Sequence, residues 1–326
     1  MNATGDERLL ARVRVVARSR PLSARTESAY RWWIVRFVRF CDLRHPGTVD
    51  ASEGRRFLDS LVAERHATAS TSRQARAALV FLYRDVLGRA DWRPPPPQKA
   101  RRRVGAPDVL APDEVARLLA AVEPSRRLAV SLLYGTGLRL MECVTLRVSD
   151  VDFGRQRIRI RGDDGRFRRF TLLPEALRDA VAAQVEAVRR QHLRDVVSGG
   201  GYVEHSESPR VARDWRWTWL FPAARQHVDR ASGQRRRHHA DVTTIQRAVA
   251  RAGRAAGLTL RVTPRLLRHS FAMHLLRTGS DARVVQDLLG HRDLSTTLEY
   301  LRPGDGIRGG VRSPLDVVFG PGRRDR

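Results

Sequence analysis

Two arginines, a histidine and a tyrosine stand in short polar segments of the second half of the chain, each beside a predicted helix end. Arg139 follows a glycine turn in TGLRLME, and Arg268 lies one turn into the helix that begins in TPRLLRHSF. His291 follows a glycine helix stop, and Tyr300 comes nine residues after it. Neither a carboxylate pair nor a Cys/His set accompanies them, so the set favours metal-free transesterification of a phosphodiester.

In that chemistry the tyrosine oxygen attacks phosphorus, while two arginines hold the non-bridging oxygens and offset the charge that develops in the transition state. The histidine donates to the same phosphate or moves protons. Because the phosphotyrosyl bond keeps the energy of the broken linkage, no cofactor is expected. Each residue alone has a plainer interpretation: Arg139 and Arg268 as surface arginines, Tyr300 as a residue at the core edge, and His269 as a buried structural histidine.

The charge of the chain indicates a polyanionic partner. Its 326 residues include 61 Lys and Arg against 35 Asp and Glu, a formal charge of +26. Lys99 is the only lysine, which indicates a base-composition bias, although the planar fork of arginine also suits phosphate. Two cysteines, Cys41 and Cys143, exclude a disulfide framework and a Cys-rich zinc module. Without an apolar signal core or a run of about 18–20 apolar residues, we expect a soluble cytoplasmic protein.

The elements that position the polar residues are mainly helical. Up to about residue 90, apolar residues recur at helical spacing and predict a small helical bundle. Arginines on its other side form either a solvated face or a surface for duplex DNA. The buried faces contain Tyr30, Trp33, Ile34, Phe37, Phe57, Leu58, Leu61, Val62, Leu79, Leu82, Tyr83 and Val86. The outer arginines are Arg25, Arg31, Arg36, Arg39, Arg73 and Arg76.

A composition break marks the end of this bundle. Four successive prolines favour an extended segment, and a KARRR run follows them. We therefore place the bundle at 1–90, a linker at 91–108 and a second domain at 109–326. The candidate phosphate contacts of the linker are Arg101, Arg102 and Arg103.

The second domain is predicted to be mainly helical with a small antiparallel sheet. A helix over 111–122 begins with a proline and two acidic residues in its first turn. Residues 157–161 and 167–173 flank a GDDG turn and predict a hairpin. The stretch 191–241 is irregular, and a connection that long usually has its own function or is disordered.

Three of these segments together resemble a known family. TGLRLME, LRHSF, and LLGH with its tyrosine nine residues after the histidine are similar to the motifs of the tyrosine recombinase (phage integrase) family. The resemblance covers roughly residues 20–320. It implies a helical SAM-like core-binding domain that clamps DNA, followed by a mostly helical catalytic domain. It further implies strand cutting and rejoining through a 3′-phosphotyrosyl intermediate, in a homo-oligomer that forms a tetramer on DNA.

The irregular stretch also resembles one subgroup. DWRWTWLFP and the later DRASGQRRRHH are similar to the insertion of integron integrases, which recognises bases that protrude from a folded single-stranded site. An unstacked base offers its face to tryptophan and its edge to histidine. The alternatives are a core strand for the alternating tryptophans and a zinc pair for the histidines, which lack acidic or cysteine companions. The candidates are Trp217, Trp219, His238, His239, Arg235, Arg236 and Arg237.

Two positions depart from the family pattern. Where the family has the first histidine of His-x-x-Arg, this chain has Arg265, which stays protonated and does not readily accept the tyrosine proton. Where the family has a general-acid lysine in the hairpin turn, this chain has Asp164, which repels phosphate. Arg166 and Arg168 are nearby cations, but arginine donates protons poorly because its pKa exceeds about 12.

Two hypotheses follow from these observations. The first is a DNA-recombining enzyme of integron-integrase type that integrates or excises gene cassettes, slowed by the two departures. The second is a degenerate homologue that binds and pairs recombination sites without cleavage. In either case the tail over 302–326 contains GGVRSPLDVVFG, which resembles the segment that packs onto a neighbouring protomer in that group.

Overall fold

The computed structural model separates into two compact units, residues 1–104 and 105–326. Among the candidate residues, His291, Tyr300 and the three linker arginines lie outside the residues that the structure describes. The described residues are 3–20, 22–63, 69–89, 92, 108–162, 164–203, 212–290 and 312–319.

The N-terminal unit is a helical bundle, as predicted. Ser23 accepts the amide of Thr26 and so caps the second helix. The helices are α1 (Ala3–Arg18), α2 (Ala24–Phe40), α3 (Ala51–Ala63) and α4 (Ala69–Val80), with a 3-10 turn at Pro46–Thr48 and a π-helical continuation at Phe81–Val86.

Aromatic side chains fill the core of this bundle. Trp33, Phe37 and Phe57 come from the predicted apolar faces and are buried together. Tyr83 stacks on Trp92 with ring centroids 3.9 Å apart. The predicted outer arginines are exposed, except that Arg36 and Arg76 are half-buried.

The second unit combines helices with two small antiparallel sheets. Its helices are α5 (Pro112–Ala121), α6 (Pro124–Thr136), α7 (Leu140–Val144), α8 (Arg178–Val197), α9 (Val242–Ala255), α10 (Pro264–Arg277), α11 (Ala282–Leu289) and α12 (Pro314–Phe319). Its strands are β1 (Val151–Asp152), β2 (Arg157–Arg161), β3 (Phe167–Leu172), β4 (Pro222–Val228) and β5 (Arg235–His239). Single 3-10 turns cover Val148–Asp150, Glu175–Leu177 and Trp215–Trp217.

The predicted hairpin forms the middle and one edge of the first sheet. The order is β1-β2-β3, with Ile158 opposite Val151 on one side and Thr171 on the other. Ile158 and Ile160 face inward and join the core that surrounds α6. Helix α6 is buried along its last two turns, where α10 packs against it and α7 follows it in the chain.

The prediction of an irregular stretch over 191–241 was wrong. Helix α8 continues to Val197, and β4 and β5 pair as a second antiparallel sheet. Both strands carry polar residues on both faces, so their sequences lack the alternation that identifies a half-buried strand. The interpretation of the tryptophans as a core strand was also wrong, because Trp215–Trp217 is a half-buried 3-10 turn.

The C-terminal helix α12 packs against its own unit in this single chain. Leu315 is buried in the main core, and the Ser313 hydroxyl donates to the Gly135 carbonyl of α6 at 2.6 Å. The Asp316 carboxylate accepts the Ala176 amide at 2.9 Å. No helix among the described residues has the length and apolar character that a membrane span requires.

Candidate functional site

A left-handed glycine turn positions Arg139. Helix α6 ends at Gly137, whose φ is +64°, and a Cβ there would lie 2.4 Å from the Phe271 ring. Only glycine combines this backbone with this approach. The turn places Arg139 at the N-cap of α7, as predicted, where its amide and its Nη1 each donate to the Glu142 carboxylate at 2.8 Å.

Arg268 reaches the same place from α10. The Thr263 side chain caps this helix and Pro264 begins it, as the sequence predicts. The guanidinium of Arg268 is buried and donates from Nη1 to the Gly137 carbonyl at 2.7 Å. Its Nη2 donates to the Leu289 carbonyl at 2.8 Å. The interpretation of Arg268 as a surface arginine was therefore wrong.

Glu142 is the centre of the cluster. Its two carboxylate oxygens accept Nη1 and Nη2 of Arg169, each at 2.8 Å, and Nη1 of Arg268 lies 3.9 Å away. Burial alone would raise the pKa of Glu142, but the hydrogen bonds and charges of Arg169 and Arg139 outweigh it and lower the pKa to about 2. Glu142 is therefore an anion at neutral pH.

The same three arginines contact three successive carbonyls at the end of α11. Nε of Arg169 donates to Leu288 at 2.8 Å, Arg268 donates to Leu289 as described above, and Nη2 of Arg139 donates to Gly290 at 3.4 Å. Gly290 is left-handed with φ +66° and is the predicted helix stop. This cluster therefore fixes the backbone up to Gly290, and the next residue in the chain is His291.

The cluster suits an anionic ligand. Three guanidinium groups around one carboxylate leave two net positive charges. The side chain of Arg139 is 49% exposed, whereas that of Arg268 is 11% exposed, so the cluster is open to solvent on the Arg139 side. Guanidinium groups stay charged and bind phosphate oxygens through parallel hydrogen bonds.

The two residues that depart from the family pattern lie in exposed places. Nε of Arg265 donates to Nε2 of His269 at 3.0 Å, one turn along α10. The Asp164 carboxylate pairs with Arg168 at 2.7 Å and accepts the Arg166 amide at 3.1 Å. Arg168 is thus already paired with a carboxylate of its own hairpin turn.

Glu142 and Arg169 were not predicted from the sequence. Glu142 stands three residues after Arg139, the spacing at which a side chain returns to the N-cap amide. Arg169 neighbours Arg168 in β3, and alternation along a strand sends the two to opposite faces. These two signals were available in the sequence, whereas the carbonyl contacts depend on how α11 packs beside β3.

The tryptophans of the insertion pack against arginines. The Trp217 carbonyl accepts Nη1 of Arg147, and the Arg147 guanidinium lies 3.8 Å from the centroid of the Trp219 ring. The Arg161 guanidinium lies 4.9 Å from the Trp217 ring. Nε1 of Trp219 donates to the Arg237 carbonyl at 3.2 Å. Trp217 and Trp219 are therefore half-buried, and they attach the insertion to Arg147 and Arg161 in the rest of the second unit.

His238 is the most open of the candidate aromatic residues. It is exposed and stacks on His227, with ring centroids 3.7 Å apart. His239 is half-buried and packs edge-on against Trp219 at 5.6 Å. The described ranges, which include His238 and His239, contain no group of three or more side chains that could hold a metal ion.

The three candidate arginines of β5 make local contacts. Arg237 grips the Asp195 carboxylate of α8 with Nε and Nη2, the latter at 2.8 Å, and its side chain is 16% exposed. Arg235 donates to the Ser198 carbonyl at 2.9 Å, and Arg236 lies 3.3 Å from Asp229. Arg237 thus holds the hairpin on α8, while Arg235 remains exposed.

Comparison with known proteins shows the family. The Phage integrase family model matches residues 108–305, and that of the phage integrase N-terminal SAM-like domain matches residues 9–92. An integrase/recombinase of Escherichia coli is 43% identical over 307 residues, covering 91% of this chain and 89% of the relative. Tyrosine recombinase XerA of Thermococcus kodakarensis is 30% identical over 283 residues, covering 86% and 85%.

Solved structures share the fold. A lambda integrase dimer bound to a COC′ core site has a TM-score of 0.60 at 18% identity, covering 94% of this chain and 98% of that one. XerH recombinase bound to palindromic difH substrate has a TM-score of 0.55 at 18% identity, covering 88% and 79%. The predicted fold, a SAM-like helical domain before a mostly helical catalytic domain with small antiparallel sheets, is confirmed. The chain belongs to the phage integrase family of tyrosine recombinases, a class of DNA strand-transferring enzymes.

Proposed function

We propose that this protein is a site-specific recombinase of the integron-integrase type, which integrates or excises gene cassettes. Tyr300 is its nucleophile, and Arg139 and Arg268 bind the scissile phosphate. The observation that best supports this is the arginine cluster around Glu142, which ends one residue before His291. A buried carboxylate that fixes guanidinium groups in place forms a preorganised site for one phosphodiester.

In the cleavage step the tyrosine oxygen bonds to phosphorus while the bond from phosphorus to the 5′ oxygen breaks. The tyrosine releases its proton and the 5′ oxygen takes one up, so nothing is oxidised. Arg139 and Arg268 offset the charge on the non-bridging oxygens, and His291 donates to the same phosphate. Rejoining reverses the step, with the 5′ hydroxyl of the partner strand as the attacking group.

Both proton transfers are expected to be slow. Arg265 stays charged and donates to His269, so it does not accept the tyrosine proton. Asp164 occupies the turn position and pairs with Arg168, so neither side chain acts as a proton donor to the leaving oxygen. We therefore expect cleavage that is slower than in a family member with lysine in this turn.

A nicked suicide substrate tests this function. Its short strand diffuses away after cleavage and traps the covalent protein-DNA complex. We expect the wild-type protein to form the complex and the Tyr300→Phe variant, which binds the same site, to form none. A wild-type protein that binds the site and yields no complex under any condition contradicts the proposal.

The second candidate is a homologue that pairs recombination sites without cutting. The observation that favours it is the same pair of departures, Arg265 on His269 and Asp164 on Arg168. Recombination between two sites distinguishes the candidates. Recombinants that form with the wild-type protein and vanish with Tyr300→Phe rule out the second one.

We also propose that the insertion binds protruding bases of a folded single-stranded site, in a tetramer on DNA. The exposure of His238 and of Arg235, both in β5, supports this assignment. Stacking of one base contributes about 1–3 kcal/mol, so His238→Ala should weaken binding to the folded strand by roughly tenfold and leave duplex binding unchanged. Equal loss on both substrates would contradict base recognition.

The matched variants separate base contact from packing. Trp219 and His239 make packing contacts within the insertion and Trp217 packs against Arg161 of β2, so their alanine variants should lower the melting temperature as well as folded-strand affinity. If His238→Ala lowers the melting temperature as much as Trp219→Ala does, His238 has a packing role instead.

A further inference from the structure

We propose that Arg169 is a positioning residue for the strand-transfer reaction, an assignment that rests on the proposed function. Through its guanidinium and its backbone, Arg169 joins three elements of the second unit. It grips Glu142 of α7 with two hydrogen bonds of 2.8 Å and donates from Nε to the Leu288 carbonyl of α11, also at 2.8 Å, while its backbone belongs to β3. Its side chain is only 10% exposed, so it acts through its neighbours and not by touching DNA.

The first consequence concerns Glu142. A carboxylate has about four acceptor positions, and those of Glu142 face the amide and Nη1 of Arg139 and both Nη groups of Arg169. Without Arg169, two positions would open beside Arg268, whose Nη1 already lies 3.9 Å from Glu142. A bidentate grip between Glu142 and Arg268 would then compete with the phosphate for the donors of Arg268.

The second consequence concerns α11. Arg169 binds Leu288, while Arg268 binds Leu289 and Arg139 binds Gly290. Arg169 is the one of these three that does not belong to the phosphate-binding pair of the proposed function. It can therefore hold the end of α11 when the other two turn toward a phosphate, and this end sets where the following segment begins.

The geometry of the guanidinium group explains why lysine should replace Arg169 only in part. Three donors in one plane reach two carboxylate oxygens and a carbonyl at the same time, which an ammonium group on a flexible stem does not reproduce. Misplacement of reacting groups by about 1 Å costs roughly a hundredfold in rate. Arg169→Met should therefore slow covalent-complex formation about a hundredfold, with DNA affinity within about threefold of wild type.

The test uses the full-length protein, a nicked suicide substrate and four variants. The matched control is Arg157→Met, because Arg157 lies in the same hairpin and pairs with Asp152 at 3.1 Å, away from the cluster. Arg169→Met, Arg169→Lys and Arg157→Met are compared with wild type for cleavage rate, dissociation constant and melting temperature, well below every melting temperature. Tyr300→Phe supplies the uncleaved background.

The expected result is a loss of rate without a loss of affinity for Arg169→Met, partial recovery in Arg169→Lys, and a wild-type rate for Arg157→Met. A wild-type cleavage rate in Arg169→Met would overturn the assignment. So would a loss of cleavage rate in both methionine variants that follows their decrease in melting temperature. A wild-type protein that forms no covalent complex overturns the proposed function itself, and the positioning role with it.

Discussion

Glu142 accepts four hydrogen bonds from two arginines, and this one carboxylate explains why several guanidinium groups can crowd together in a chain with a charge of +26. Guanidinium groups that lie around one site would repel each other if no anion lay between them. The carboxylate therefore stabilises the cluster before any DNA is bound, and it does so with Arg139 still half-exposed for a ligand.

Glu142 should make the stability of the protein depend on pH. Its pKa is lowered from 4.5 to about 2 in the folded chain, so its contribution is complete above the unfolded value and is lost as pH falls toward 2. Glu142→Gln should reduce the free energy of unfolding by about 2–3 kcal/mol at pH 7. The difference from wild type should shrink by about 1 kcal/mol between pH 7 and pH 3.5.

Urea unfolding at several pH values measures this difference. Asp113→Asn is the matched control, since Asp113 is 75% exposed and lies 3.7 Å from Arg117. The control should differ little from wild type at either pH. A Glu142→Gln deficit that is the same at pH 7 and pH 3.5 would show that the carboxylate charge is not the cause.

Asp164→Lys should increase the cleavage rate, because it places a proton donor in the hairpin turn. General acid catalysis contributes typically 10²–10⁴-fold, and we expect about tenfold or more from a donor that evolution has not adjusted here. A substrate with sulfur as the bridging 5′ atom needs no proton donor, since a thiolate leaves readily. The variant should therefore gain on ordinary DNA and not on the sulfur substrate; equal gain on both would contradict a proton-transfer role.

The two helices that lead to the site, α6 and α11, both end at a glycine. Gly137 and Gly290 both adopt left-handed backbone, and the turn at Gly137 brings Arg139 to the cluster, where its Nη2 donates to the Gly290 carbonyl. These ends were predictable from the sequence, as were the caps of α10, because capping and stop signals are local. The β4-β5 sheet was not predictable, because its strands are held by contacts such as Arg237 on Asp195, which are distant in sequence.

Gly290→Ala should impair cleavage more than stability. A Cβ at Gly290 would lie 2.9 Å from Cδ of Arg169, and the left-handed backbone costs about 1–2 kcal/mol for alanine. Gly257→Ala is the matched control, because Gly257 has the same φ of +66° with nothing within 4 Å of its Cβ position. Both variants should lose the stability that the left-handed backbone costs, Gly290→Ala somewhat more because of its contact with Arg169, and only Gly290→Ala should lose cleavage, by more than about tenfold.

If both glycine variants cleave at the wild-type rate, the end of α11 does not control the position of the reacting groups. If both lose cleavage equally, the loss reflects general destabilisation, and Arg169 is not its cause. The two variants thus separate the effect of the contact between α11 and β3 on cleavage from the effect of backbone strain.

At the scale of the whole molecule, the proposed function divides the positive charge among three tasks. In that proposal the arginines of the bundle and of the linker bind duplex backbone, the insertion binds unpaired bases, and the Glu142 cluster binds one phosphate. A chain that neutralises many phosphates releases counterions, so its affinity for DNA should fall steeply with salt. We expect roughly a thousandfold loss or more between 50 and 200 mM salt.

The linker arginines supply the sharpest test of this division. Replacement of Arg101, Arg102 and Arg103 by glutamine should lower the slope of log affinity against log salt by about 2–3, because each phosphate contact contributes about 0.9. The rate of cleavage at saturating protein should stay unchanged. An unchanged slope would place the linker away from the DNA backbone.

The most direct test of the central claim is the identity of the residue that becomes attached to DNA. The covalent complex trapped with a nicked substrate is digested with a protease and a nuclease, and mass spectrometry locates the remaining nucleotide. We expect one nucleotide, linked through its 3′ phosphate, on the peptide that contains Tyr300. A nucleotide on any other residue, or a trapped complex that persists in Tyr300→Phe, would contradict the central claim.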